Sequence, residues 1–555
     1  MLGAHSLGML GAGDEHPCPH HVLGARTGFS QCGQDDLEAA GGLRSGVGVA
    51  GAVWPDGGRA GHKHSISNTH GSAESNRGLE WGPGGNALPF DHAQYAMRML
   101  DQVLASARQR RAEADAQLFE LISIPSVSAL PQHAPDCRRA AGWLAQRLGS
   151  LGMDVELADV VDGGHPVVVA EWRGRPGAPT LTVYGHYDVQ PPDPLEDWET
   201  PPFEPTVRDG FVYGRGADDN KAQHMASVVA AGHWFGGGGP PVNLRFLIEG
   251  EEEVSGRSLP VYVRANADRL ATDYLLIADG SFAAVGQPAI VTGLRGLLYA
   301  EVEVAGPRVD LHSGIFGGVA PNPFNSLAHI LAGLKDRNGV VQIPGFYGDV
   351  EPPTAEELED WKTLPITAEQ QRAAMGVTEL AGESGYSVLE RKWARPTLDV
   401  HGVIGGFTGA GSKTVIPARA RAKVSTRLVP HQDPTRVLAG LREAVARLAT
   451  PGTRAQVIEL SSAPPVRLAA EHPGVDALRR AFVAAYGAAP VLIREGGSIP
   501  VTIDFQEALD TRLLVTGFGL PEDALHSPNE HMSLDQYHRG TDTVIHLMHE
   551  LAAQR

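Results

Sequence analysis

Four short, largely apolar runs constrain the chain most: Val167–Val169, Leu181–Tyr184, Leu244–Ile248 and Tyr274–Ile277. Each reads as a short strand, with helical patterns ahead of the first and between the second and third. Ala140, Ala141, Leu144 and Leu148 fall at helical spacing ahead of the first run, and Ala222–Phe235 reads as a helix between the second and third. Strands alternating with helices predict an α/β fold, a sheet with helices on both faces. An earlier helical pattern, Leu118, Leu121 and Ile122, stops at Pro125. The run Gly236–Gly239 closes on Pro240–Pro241 with no Gly-Lys-Ser/Thr behind it, so it is a helix-to-strand linker and not a phosphate loop.

The chain has 555 residues, and a soft prior of roughly 150 residues per domain gives about three units. Changes of texture divide it. Residues 1–95 are dense in Gly, His, Ala and Ser without any hydrophobic period, which predicts a disordered tail or a start codon placed too early, with Met97 or Met99 as natural starts. Residues 96–292 hold the strand–helix alternation. Residues 293–494 read as an inserted α/β unit: Leu298–Val304 as a strand, Pro323–Leu334 as a helix, Pro344–Ala394 as loop, Ala420–Leu428 as a strand and Pro434–Leu448 as an amphipathic helix. Residues 495–555 return with strand-like Leu513–Thr516 and a closing helix near Leu534–Leu551.

A net charge of −19 argues against a nucleic-acid partner, which requires a basic face. No apolar run nears the ~20 residues of a membrane helix, and Met1–Gly13 lacks the basic start of a secretory signal. Of three cysteines, Cys18 and Cys32 lie in the tail, leaving Cys137 alone in the folded body. No disulfide framework is then expected, and a reducing cytoplasm fits.

The chemistry-bearing residues cluster after the strand runs. His186-Tyr187-Asp188 follows Leu181–Tyr184, and residues two apart on a strand share a side, so His186 can ligate a metal while Asp188 supports it. Such a tripeptide alone is more often a surface or core pair. Asp218-Asp219 sits in a Gly-rich loop opening the Ala222 helix, where it could equally cap the helix. Glu251-Glu252-Glu253 follows the buried-looking Leu244–Ile248, and Asp279 follows Tyr274–Ile277. Carboxylates crowded at strand ends repel unless cations are present, and strand C-terminal ends are where open α/β sheets place their sites. His526 opens the polar loop His526-Ser-Pro-Asn-Glu530. Taken together the set offers nitrogen and oxygen ligands and no sulfur, which suits zinc, cobalt or manganese, and a shared carboxylate suits a pair of ions.

These motifs, in this order, resemble the co-catalytic zinc peptidases that include carnosinase, carboxypeptidase G, aminoacylase and acetylornithine deacetylase. The resemblance runs from about Leu118 to the C-terminus and is nearest to carnosinase-like dipeptidases, which carry a match to Asp310-Leu311-His312-Ser313-Gly314. It implies a catalytic α/β/α domain with an inserted α+β lid that also dimerises. His186 and Asp279 would hold one divalent metal, Glu253 and His526 the other, and Asp219 both, with a cis peptide bond after Asp219. Zn2+ is the expected ion, with Mn2+ and Co2+ also compatible. Glu252 would be the general base, and Asp188 would steady the site. His312 would stabilise the oxyanion in the partner subunit, while Thr414, Arg427 and Ser498 would meet the substrate's carboxylate. The run Glu253-Val-Ser-Gly departs from the Glu-x-Gly-Ser of relatives, and Glu251 leaves a one-residue slip in register to be checked.

The expected activity is therefore hydrolysis of dipeptides or short peptides ending in a free carboxylate, by a homodimer. An N-acyl amino-acid deacylase or a carbamoyl amidohydrolase would use the same site. A non-catalytic peptide-binding relative would have lost the base or a ligand, and none is missing.

Overall fold

In the computed structural model the strand runs recognised in the sequence become neighbours in one nine-stranded mixed sheet. Residues 92–497 and 501–554 are described; the tail up to residue 91, with its histidines and two cysteines, and Ser498 lie outside them. Residues 92–95, expected in the tail, open the first helix, His92–Gln109.

The strand Thr180–His186 runs parallel to both Asn243–Glu249 and Tyr274–Ala278, and Arg512–Thr516 extends the parallel core beyond Tyr274–Ala278. Alternation sends the side chains of these strands to two opposite faces, and both are buried. Leu181, Val183, Phe246, Ile248 and Leu276 join a core with the helices Ala134–Ser150, Gln223–Gly236 and Leu534–Ala552. Tyr184, Leu247, Leu275 and Ile277 pack on the other side with Leu259, Val263 and Phe505. Two buried faces explain why the strands read as continuous apolar runs.

The chain leaves this sheet at Leu294 and enters a second one at Gly296. That sheet is four-stranded and antiparallel, in the order Thr397–Gly405, Arg419–Leu428, Gly296–Ala305 and Arg454–Ala463. Leu298, Ala300, Val302 and Val304 point to the helices Pro323–Leu334 and Pro434–Leu448, which cover one face. Val466–Arg467 and Val491–Glu495 are again paired with Ala289–Leu294 of the large sheet. The structure thus has the expected α/β architecture with a second α+β unit.

Pro344–Ala394, expected to be loop-rich with charged turns, also contains the short helices Ala355–Thr363 and Ala368–Met375. Each starts with a capping box, Thr354 with Glu357 and Thr367 with Gln370. Trp361 and Trp393 from this segment pack into the core on the large sheet. No helix among the described residues is long and apolar enough to cross a membrane.

Candidate metal centre

The C-terminal ends of the parallel strands deliver the acidic and histidine residues to one place. His186 ends Thr180–His186 and is fully buried, Asp279 follows Tyr274–Ala278, and Glu252 and Glu253 sit on a short turn just past Asn243–Glu249. Asp219 lies in the turn before Gln223–Gly236, and the Asp219–Asn220 peptide is cis. His526 arrives on the loop between Arg512–Thr516 and His531–Ser533.

Two trios result: His186, Asp219 and Asp279, and Asp219, Glu253 and His526, with the donor atoms of each within 4.8 Å of one another. Asp219 belongs to both and divides its oxygens between them. Its Oδ1 is 3.0 Å from His186 Nε2, and its Oδ2 is 3.0 Å from His526 Nε2. His186 Nε2 also lies 3.5 Å from Asp279 Oδ1, and His526 Nε2 lies 3.4 Å from Glu253 Oε2. His186 Nε2 is buried without a hydrogen-bond partner among the described residues. A buried, unpartnered ring nitrogen aimed at carboxylates, in a set of N and O donors, fits a divalent cation.

The electrostatics agree. Burial pushes the Glu252 carboxyl up to about 9, and the charges of Asp279, Glu253 and Asp219 add to the shift against the pull of His186. Burial also raises Asp279. Its hydrogen bond to Asp219, then that to Glu253, raises the His526 imidazole to about 10. Carboxylates this close are held apart in charge only by protons or by cations.

Supporting residues fix the cluster. Asp188 accepts hydrogen bonds from Ser128 Oγ at 2.7 Å, Glu253 N at 3.1 Å and Glu252 N at 3.3 Å, and its Oδ1 is 3.4 Å from His186 Nδ1. It therefore holds both the ring of His186 and the turn carrying the glutamates. Asn220 Nδ2 donates to Asp279 Oδ1 at 2.6 Å, and Gln190 Nε2 to Glu253 Oε2 at 2.8 Å. Glu251 points elsewhere, accepting from His165 N at 2.7 Å and Ser258 N at 3.0 Å; that geometry favours the register with Glu253, not Glu252, in the trio. Sequence reasoning missed Glu530. This buried carboxylate accepts from Arg215 Nη1 at 2.6 Å, Gly216 N at 2.9 Å, and Asp218 N and Asp219 N at 3.1 Å each. It grips the loop that presents Asp219, and its place four residues after His526 was the available signal.

A cleft of about 700 Å³ opens over the cluster, lined by Asp219, Glu252, Asp279 and His526 and, opposite them, by Ile366, Gln370 and Lys392. Its size is that of a small-molecule site.

Residues 182–550 match the family model described as Peptidase family M20/M25/M40. The chain belongs to the M20 peptidase family. The Cys-Gly metallodipeptidase of Schizosaccharomyces pombe is 32% identical over 469 residues, covering 82% of this chain and 98% of its own. Human Beta-Ala-His dipeptidase is 33% identical over 436 residues, 76% of this chain and 86% of that protein. The crystal structure of an M20 family metallo-carboxypeptidase from Sulfolobus solfataricus is 32% identical and matches with a TM-score of 0.70 over 80% of this chain and 99% of its own.

In this M20 peptidase the departure at Glu253-Val-Ser-Gly has a local explanation. Ser255 takes the left-handed conformation, φ 51°, that ends the glutamate turn, at a cost of about 1–2 kcal/mol for a residue with a Cβ. Gly256 follows because a Cβ there would meet the Glu251 side chain at 2.1 Å. The outer site residues fall into two groups. His312 and Thr414 lie together on an exposed ribbon, where Leu311–His312 pairs with Val415–Ile416, and neither lines the cleft. Arg427 ends the strand Arg419–Leu428 opposite Leu297, near the junction of the two sheets.

Proposed function

We propose that this M20 peptidase is a metal-dependent dipeptidase, cleaving dipeptides or short peptides that end in a free carboxylate. The observation that carries the reading is the division of the two Asp219 oxygens between two donor trios, with Glu252 lining the same cleft. Relatives named for Cys-Gly and β-Ala-His dipeptides support the substrate class. In this reading His186 and Asp279 hold one cation, Glu253 and His526 the second, and Asp219 serves both. Zinc suits the donor set, and manganese and cobalt fit it as well. A bound pair of such ions supplies Lewis acidity toward the scissile carbonyl and lowers the pKa of water.

The chain's own residues do the rest. Glu252 takes the proton of the attacking water and passes it to the leaving amine nitrogen. Asp188 keeps Glu252 in reach through the Glu252 N–H and turns His186 so that Nε2 faces the cluster. Arg427, Thr414 and Ser498 receive the substrate's carboxylate, the arginine through two parallel hydrogen bonds. His312 reaches the oxyanion from a second copy of the chain. Its exposed ribbon supports that assignment, as do its apolar neighbours Ile315 and Val319, 71% and 86% exposed; apolar groups grouped at a surface are the mark of an interface. We assign the chain to the cytoplasm on its free, buried Cys137.

The test is a substrate panel with metal-loaded enzyme: dipeptides, N-acetyl amino acids and N-carbamoyl amino acids. Faster turnover of the N-acyl compounds would reverse the reading. Glu252→Gln should keep its metals and lose about 10²–10⁴ in kcat; retained turnover would remove Glu252 from the mechanism.

A further inference from the structure

Only Arg295 separates the strand Ala289–Leu294 of the large sheet from Gly296–Ala305 of the second. Its backbone is pinned on both sides. Arg295 N donates to Glu495 O at 3.2 Å. Gly296 is packed so tightly that a Cβ there would meet Pro465 N at 2.5 Å and Ala463 O at 2.6 Å. The guanidinium is thereby delivered beside the Gly496–Gly497 turn, where Nη2 would stand 3.5 Å from a Cβ at Gly496. Leu294, Glu495 and Gly497, its immediate surroundings, line the cleft over the metal cluster.

Arg295 Nε and Nη1 are both buried and have no hydrogen-bond partner among the described residues. Arg427 is its neighbour. The antiparallel register closes with Arg427 opposite Leu297 and Leu428 opposite Gly296, which puts Arg295, one residue beyond the last pair, at the diagonal position to Arg427. Diagonal positions are roughly 7–8 Å apart at Cα, within reach of long side chains. Burial and then the charge of Arg427 lower the Arg295 pKa to about 10, with Asp399 and Glu495 pulling the other way without forming an ion pair to it. Neither arginine is itself among the residues lining the cleft. Even so, two like charges this close behind Leu294, Glu495 and Gly497, the deeper one desolvated and with two nitrogens unpartnered among the described residues, form an unfavourable arrangement until an anion enters between them.

We propose that Arg295 and Arg427 form a two-guanidinium cradle for the substrate's free carboxylate, with Arg295 the positioning residue that makes the enzyme prefer an acid to an amide at that end. The inference rests on the dipeptidase reading of the metal centre. It adds a residue from the sheet junction to the carboxylate site.

The experiment compares one dipeptide as free acid and as C-terminal amide, using metal-loaded wild type, Arg295→Met, Arg295→Lys and Arg427→Met. In Arg295→Met the ratio of kcat/KM for acid over amide should fall at least tenfold. The change should come from a raised KM for the acid, with kcat within about twofold. Arg295→Lys should recover part of the ratio. An unchanged ratio in an Arg295→Met protein that melts like wild type overturns the proposal, as does an equal loss on acid and amide. If Arg295→Met does not fold, the same comparison is read from Arg295→Lys, where an unchanged ratio again overturns it. Calorimetry separates this outcome from failure of the dipeptidase reading, using a dipeptide whose peptide bond is reduced to CH2–NH, as acid and as amide. Wild type binding the acid at least tenfold tighter, and Arg295→Met losing that preference, supports the cradle even if neither substrate is cleaved. Equal acid affinity in the two proteins overturns it.

Discussion

Replacing Glu530 by glutamine turns one carboxylate oxygen into an amide and leaves the side chain's shape intact. In the native protein Oε2 accepts from Arg215 Nη1 and Gly216 N, and Oε1 accepts from Asp218 N and Asp219 N. The amide of glutamine keeps one acceptor and sets an NH2 group against the other two donors. If the NH2 faces Arg215, a guanidinium that is 1% exposed loses its ion partner. If it faces the loop, the N–H of Asp219 itself is orphaned. Two lost charge-assisted bonds at about 1.5–3 kcal/mol each give ~3–6 kcal/mol, and relaxation brings the expectation to about 3–4 kcal/mol. Urea unfolding of the metal-free protein measures this as a lower midpoint at unchanged m. Metal titration should show weaker binding as well, by about 10–100-fold, because the damaged loop carries the shared ligand. A loss below about 1 kcal/mol with unchanged metal affinity would refute the view that Glu530 holds the Asp219 loop.

Other predictions concern parts of the molecule further from the cluster. Burial works against ionised Glu357, but the paired hydrogen bonds from Arg494 outweigh it and hold the carboxyl well below the usual carboxylate range. Because the folded pKa is depressed, its contribution is complete above about pH 4.5, declines below that, and is lost only as pH falls through the lowered folded value. Glu357→Gln should therefore cost about 3 kcal/mol at pH 7, and the gap between its unfolding midpoint and that of wild type should narrow as the pH is lowered from about 5 toward 3. Parallel curves would show that the ion pair is not responsible. His312→Ala should lower kcat by about 10²-fold or more while metal content stays at the wild-type level, and wild type should sediment as a dimer. A monomer in which His312→Ala is fully active would remove the second copy from the site.

Legibility in the sequence followed burial. The central strands were readable because both faces are buried, so Leu181–Tyr184 and Tyr274–Ile277 appear as unbroken apolar runs. The outer strands Thr397–Gly405 and Arg454–Ala463 were not, because they are the sheet's edges and mostly exposed, leaving no alternation to detect. Ala355–Thr363 was hidden by its charged surface, with Leu358 and Trp361 its only large apolar side chains, although Thr354 and Glu357 spell a capping box. Of the candidate metal ligands, His186, Glu253 and Asp279 were legible because each ends or follows a buried strand, whereas Asp219 and His526 sit in loops and stood out only in the ordered set. Glu530 was in view but without a role, since nothing local reveals that its partners lie more than 300 positions earlier. Arg295 gave no signal: in Gly-Leu-Arg-Gly it reads as an ordinary turn charge, and its isolation exists only once two sheets meet.

Two cation positions that share Asp219 should both be needed for peptide-bond hydrolysis. The direct measurement strips the protein with a chelator, then adds Zn2+ stepwise while bound metal and dipeptide turnover are recorded on the same samples. The stripped protein should show no turnover, full turnover should return only as binding approaches two ions per chain, and Glu252→Gln should bind the same two ions without turnover. Full activity with metal removed, or a plateau at one ion per chain, would contradict it.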